Sequence, residues 1–203
     1  QADFDRRLGY GWLLLCEVIK AVNRLILLVV FAVVSNPAKA GDYSAIVRTA
    51  SIDLVDNRYE LNAELAYQLS PVAKDALSKG IALTWKVLIK VRQEGIFWDP
   101  TVYGKELTFK IQNHALLNQY SVQNRSEGSA DMYSSLTAAL YSISKIRNLK
   151  LFDKAVLENK QNVYLAVKVL FDREALAVPL RPMSYFDSQW DLSSQWTLWQ
   201  LQN

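Results

Sequence analysis

Cysteine and histidine are almost missing from this sequence. Its 203 residues include one of each, Cys16 and His114. Zinc and copper centres are built largely from those two side chains, so no metal site is expected. Beyond residue 16 there is no thiol to act as a nucleophile or to form a disulfide framework, even in an oxidising compartment. His114 follows Asn113 at an expected hairpin turn and lacks the neighbouring nucleophile and orienting partner that a general base needs. No Gly-rich loop opens a helix, which removes the dinucleotide and P-loop readings, and no cofactor is implied. A strong charge of one sign is missing too. Residues 41–203 have 18 Lys and Arg against 17 Asp and Glu, a net charge of +1. That is no electrostatic footprint for nucleic acid. There is no internal repeat and no low-complexity linker.

Nor is there a long hydrophobic run. The longest, LILLVVFAVV at 25–34, has ten residues, whereas a bilayer span needs about 20. Arg24 precedes it, and Ala38-Lys39-Ala40 follows before Gly41. A basic flank, a short apolar core and a small-x-small end make a secretory signal peptide. The expected organisation is therefore a signal segment at 1–40 with an atypical N-terminal extension, then a single periplasmic domain at 41–203. A retained segment 25–34 would instead anchor the domain to the membrane, its sole membrane contact. The first twenty residues, QADFDRRLGYGWLLLCEVIK, fit neither a mature domain nor an ordinary signal start and play no part in the fold reading. A 163-residue domain buries about 70% of its chain surface, enough for a core without covalent staples.

Alternation dominates what is present. Tyr59, Leu61, Ala63, Leu65, Tyr67 and Leu69 share one face of RYELNAELAYQL, the mark of a half-buried antiparallel strand. The preceding IVRTASIDLV carries Ile46, Ala50, Ile52 and Leu54, and Asp56-Asn57 suits a tight hairpin turn. A short helix follows, with Ser70 as its cap, Pro71 at the first position and Gly80 at its end. Strands are expected at 81–94, 105–112, 116–123 and 162–171, and in the tail. The 81–94 strand is long enough to bend or cross between two sheets. GIFWDPTVYG at 95–104 reads as an exposed aromatic loop. An amphipathic helix of about four turns runs through Met132, Leu136, Ala139, Leu140, Ile143 and Ile146, and Pro179 and Pro182 break the connection to the tail. The sum is an α+β fold, a mostly antiparallel sheet or β-sandwich of about seven strands with two helices.

Chemistry-bearing patterns are few. Ser142 and Lys145 have the S-x-x-K spacing of serine–lysine acyl enzymes, but the S-D-N and K-T-G companions are missing. Glu94 with Asp99, and Asp187 with Asp191, flank aromatic segments as glycosidase carboxylates do, although turn chemistry accounts for Asp at such places. Half of the six tryptophans fall in the last fourteen residues, as Trp190, Trp196 and Trp199. They serve either to close the core or as a platform for a sugar or a protein. Trp98 and Trp190 lie in expected loops and are the members expected at the surface. The candidate binding residues are thus Trp98, Trp190, Trp196, Asp187 and Asp191, with no catalytic residue assigned.

LSPVAKDALSKGIALTW, LTFKIQNHALLNQYSV and WDLSSQW together resemble a family of proteobacterial secreted proteins. It is known as domain of unknown function 4390, or "proline-rich signal peptide protein". Trp190, Leu192, Ser193, Ser194 and Trp196 fit the family's W-x-L-S-S-x-W tail, and Tyr120 fits a tyrosine near the end of its strand meander. The resemblance implies an export signal and a small periplasmic domain, with no established activity. Members are often encoded near a membrane sensor histidine kinase of the nitrogen-regulation type and an rRNA methyltransferase, of which only the kinase has a periplasmic face. The expected function is a non-catalytic interaction or accessory module for a membrane sensor or envelope complex. The alternatives are a glycan-binding or glycoside-cleaving envelope domain and a lipid carrier.

Overall fold

The computed structural model describes residues 43–125, 128 and 130–201. The expected signal segment, with its apolar run at 25–34, lies outside the described residues. Two antiparallel sheets make up most of the domain, one of three strands and one of six. The first hairpin pairs β1 (Ala45–Val55) with β2 (Arg58–Tyr67) through Val55 opposite Arg58. Asp56 and Asn57 both take positive φ, 46° and 65°, as the two-residue turn requires. The buried face of β2 is the expected one. In β1 the register shifts between Val47 and Thr49, so Ala45 and Val47 are buried before the bulge and Ala50 after it. Ile46, expected inside, is exposed for that reason. Leu54 shares the face of Ala50 and Ile52 and is exposed because it lies at the turn end of the hairpin.

Helix α1 (Pro71–Ser78) is capped by the Ser70 hydroxyl, which accepts from the Ala73 amide at 3.1 Å. Gly80, at φ +82°, ends it. Strand β3 (Leu83–Gln93) then runs along the middle of the large sheet between β4 (Thr101–His114) and β8 (Val163–Phe171). It stays in that one sheet for its whole length. Its inner face, Leu83, Trp85, Val87, Ile89 and Val91, is the most deeply buried surface of the domain. β4 starts earlier than expected. Its turn into β5 (Gln119–Asn124) is a 3-10 segment at Ala115–Leu117 with Asn118 left-handed, so Leu116 faces solvent. The large sheet ends in β6 (Ala130–Tyr133) on one side and β9 (Thr197–Gln200) on the other.

Three further elements differ from expectation. The second helix, α2 (Leu136–Ser144), starts after its cap Ser135, so Met132 belongs to β6. It ends before Ile146, which lies in β7 (Lys145–Asp153), the third strand of the small sheet. β7 pairs β2 with two register irregularities and a left-handed Asn148, which erase the alternation that would have revealed it. Pro182 breaks nothing. It occupies the first turn of α3 (Arg181–Phe186), where proline is tolerated. The described residues thus hold nine strands and three α-helices.

The sheets face each other across one apolar core. Trp85 of the large sheet meets Tyr67 of the small one edge-on at 5.5 Å, and Tyr103 meets Phe152 at 4.7 Å. With three strands facing six, part of the large sheet has α2 as its cover instead of a second sheet.

Candidate functional site

The tail motif resolves into core and edge. Trp190 is 2% exposed and stacks on Phe171 at 6.0 Å with an interplanar angle of 20°. Its expected place at the surface is therefore corrected: the polar neighbours Gln189 and Asp191 face out while the ring turns in against β8. Leu192 is equally buried, and its carbonyl accepts from the Trp85 indole N–H at 3.4 Å. The two serines pair with β8 through their side chains. Ser194 Oγ accepts from the Val169 amide at 2.8 Å and Ser193 Oγ from the Phe171 amide at 3.0 Å. Ser194 N–H returns a bond to the Val169 carbonyl. The pair thus continues the edge ladder beyond β9, whose own pairing with β8 stops at Thr197 opposite Val167.

Trp196 reaches the outer surface of the large sheet, 39% exposed. The ammonium groups of Lys90 and Lys168 lie 5.3 and 6.0 Å from its ring centroid, within cation–π range. Leu198 beside it is exposed, whereas Trp199 turns inward opposite Leu165.

Three consecutive exposed apolar side chains lie on the β3–β4 connection, residues 94–100. Ile96, Phe97 and Trp98 are 94%, 89% and 75% exposed at its tip. Their base is tied on every side. The Asp99 carboxylate accepts from the Gly95 amide at 3.0 Å and from the Tyr164 hydroxyl at 2.6 Å. Gln93 N–H donates to the Pro100 carbonyl, Glu94 N–H to the Asn162 carbonyl, and the Gln200 amide to the Glu94 carboxylate. Gly95 is required by close approach, since a Cβ there would stand 2.1 Å from the Trp98 carbonyl oxygen. Arg92 Nε is buried beneath the tip without an acceptor. Three large apolar side chains are thus held into solvent on a braced turn.

Asp99 also makes the brace sensitive to pH. The Tyr164 hydroxyl, followed by the Gly95 amide, holds its carboxyl below the usual carboxylate range. A depressed carboxylate stabilises above its ordinary pKa, and that contribution is lost as pH falls through the lowered value. Trp98 emission, isolated by difference against Trp98→Phe, should therefore stay constant down through about pH 4 and change only below it. In Tyr164→Phe the change should move up toward that value. A wild-type transition within the ordinary aspartate range would rule out the brace.

The acid–base candidates are engaged elsewhere. Asp187 Oδ1 accepts from the Gln189 amide at 2.9 Å, capping the 188–190 turn. Asp191 is largely exposed and lies 3.6 Å from the Arg173 guanidinium. Two clefts of about 410 and 390 Å3 are lined by Asp191 and not by Asp187. A glycosidase needs both carboxyls in one cleft, its acid in an apolar setting. His114 is partly buried at the end of β4, its Nε2 2.9 Å from Ser121 Oγ, and no described acid bonds to the ring. Ser142 donates to the Ala139 carbonyl, while Lys145 leaves the helix and sits over the Tyr141 ring. The helical turn needed to bring serine and lysine together ends between them. Among the described residues no group of three or more His, Cys, Asp or Glu could hold a metal ion, and no helix is long and apolar enough to cross a membrane.

A family model described as Domain of unknown function (DUF4390) matches residues 43–200. The chain belongs to the DUF4390 family. No curated protein and no solved structure matches it. The matched span covers both sheets, the braced tip and the tail motif. In this DUF4390 domain the tail motif is a structural closure, with Trp196 alone of its tryptophans reaching the surface. The sequence offered one signal for the brace that went unread: Gly95 and Asp99 stand four residues apart around three apolar residues. Its partner Tyr164 lies 65 positions away, and that contact cannot be read from spacing.

Proposed function

We propose that this DUF4390 domain is a non-catalytic interaction module of the bacterial envelope. In this reading it is exported to the periplasm, cleaved before Gly41, and docks a membrane sensor kinase or another envelope protein through the braced 94–100 turn. The observation that carries the reading is the outward presentation of Ile96, Phe97 and Trp98 on a base held by Asp99. A rigid, preformed aromatic anchor loses little conformational entropy on binding, which is how hot spots gain affinity. Export is supported by the sequence pattern of 24–41 and by the family resemblance.

The test is affinity capture from the native envelope with the exported protein, together with N-terminal sequencing of that protein. A sensor kinase or envelope protein should be captured by the wild type. Trp98→Ala should weaken its binding by about 2 kcal/mol or more while thermal unfolding stays unchanged. Equal capture by the variant, or recovery of the chain uncut from the cytosol, would overturn the proposal.

A further inference from the structure

The mismatch in sheet width leaves a cleft at the other side of the sandwich. β7 lies opposite β4, where the Lys105 ammonium donates to the Lys150 carbonyl at 2.8 Å. β5 and β6 extend past β7 and receive α2 as cover. Between these elements lies a cleft of about 300 Å3. Its walls are Leu107, Phe109, Val122, Ile143, Ile146 and Leu149, five of them buried in the core. Its rim carries three cations, Lys105, Lys145 and Arg147, against one carboxylate, Asp131. Lys145 has a distant acidic neighbour in Glu64, at 3.9 Å. Arg147 has no acidic partner among the described residues, and its side chain is exposed at the mouth.

We propose that this cleft binds an amphiphile with one apolar chain and an anionic headgroup. The cleft opens to solvent and pairs apolar side chains with polar ones, Asn124 and Ser142 among them, which suits a molecule that itself has an apolar and a polar part. The volume stands at the lower end of ligand cavities, which suits one chain and not two. The chain lies against Phe109, Ile143 and Ile146. The headgroup oxygens meet Arg147, whose planar fork suits carboxylate or phosphate, with Lys145 alongside. Carboxylate and phosphate headgroups share this chemistry, so a free fatty acid and a lysophospholipid both qualify. The site is separate from the 94–100 turn and does not depend on its role.

The test is calorimetric titration of the full chain with dodecanoate and with lysophosphatidylglycerol, each below its micelle concentration, and with dodecanol below its solubility limit. At least one of the anionic ligands should bind one-to-one, and the tighter of the two identifies the headgroup. Dodecanol, and the anionic ligand with Arg147→Glu, should each bind roughly tenfold more weakly, the loss of a charge-assisted contact. Arg147 is on the surface, so the variant should unfold at the wild-type temperature. The proposal is overturned if neither anionic ligand binds, or if dodecanol or the variant matches the wild-type affinity.

Discussion

Trp190→Ala is expected to lower the free energy of unfolding by about 3–5 kcal/mol, the range for removing a large buried aromatic. In a domain of this size that corresponds to a fall in melting temperature of roughly 6–20 °C. The ring lies on Phe171, which in turn meets Trp85, and Trp85 meets Tyr67 of the facing sheet. Its removal therefore opens a void at one end of an aromatic chain that joins the two sheets. The surrounding segment cannot collapse freely into the void. The Trp190 carbonyl is held by Arg173, and the next residues are held to β8 by Ser193 and Ser194. Trp98→Ala is the matched control and should change stability by no more than about 0.5 kcal/mol. Chemical denaturation of both variants decides the matter. A Trp190→Ala protein as stable as the wild type would mean that the tail does not close the core.

The second large effect is expected from Ser194→Ala, at about 1–3 kcal/mol. The change removes one hydroxyl and almost no volume, so its cost is that of a lost acceptor. The Val169 amide points away from β3 toward the tail, where Ser194 Oγ receives it, and the residue is fully buried. Without the hydroxyl that N–H has no acceptor and no access to water. The same hydroxyl donates to the Gln195 carbonyl at 2.8 Å, so a second group loses its partner as well. Faster hydrogen exchange at the Val169 amide, alongside the stability loss, would place the defect at this edge. An unchanged exchange rate would show that the serine does not serve as a ladder residue.

Legibility varied with how local the signal was. The β1–β2 turn could be read because Asp56-Asn57 tolerates the required backbone by itself, and β3 and β8 could be read because each carries large apolar residues at period two. The inward face of β1 was misread because a single bulge exchanged it partway along. β7 was missed because two register irregularities and Asn148 scrambled its alternation, and because apolar residues up to Ile146 continued the helical spacing of α2. At the candidate site, the exposure of Trp98 was legible from its Gly- and Pro-containing loop. The burial of Trp190 was not, since its immediate neighbours are polar and Phe171, which receives its ring, belongs to another strand.

The sequence by itself determined the β-rich α+β class, the pairing of the first hairpin, the cap of α1, the family and the scarcity of metal-ligating side chains. These rest on side-chain alternation, turn backbone preferences and residue inventory, which act over a few positions or over the whole composition. Only the tertiary structure decided which tryptophans close the core, that Tyr164 braces the 94–100 turn, and that an apolar cleft opens beneath α2. Each of those depends on contacts between strands far apart in the chain, and on three strands being too few to cover six.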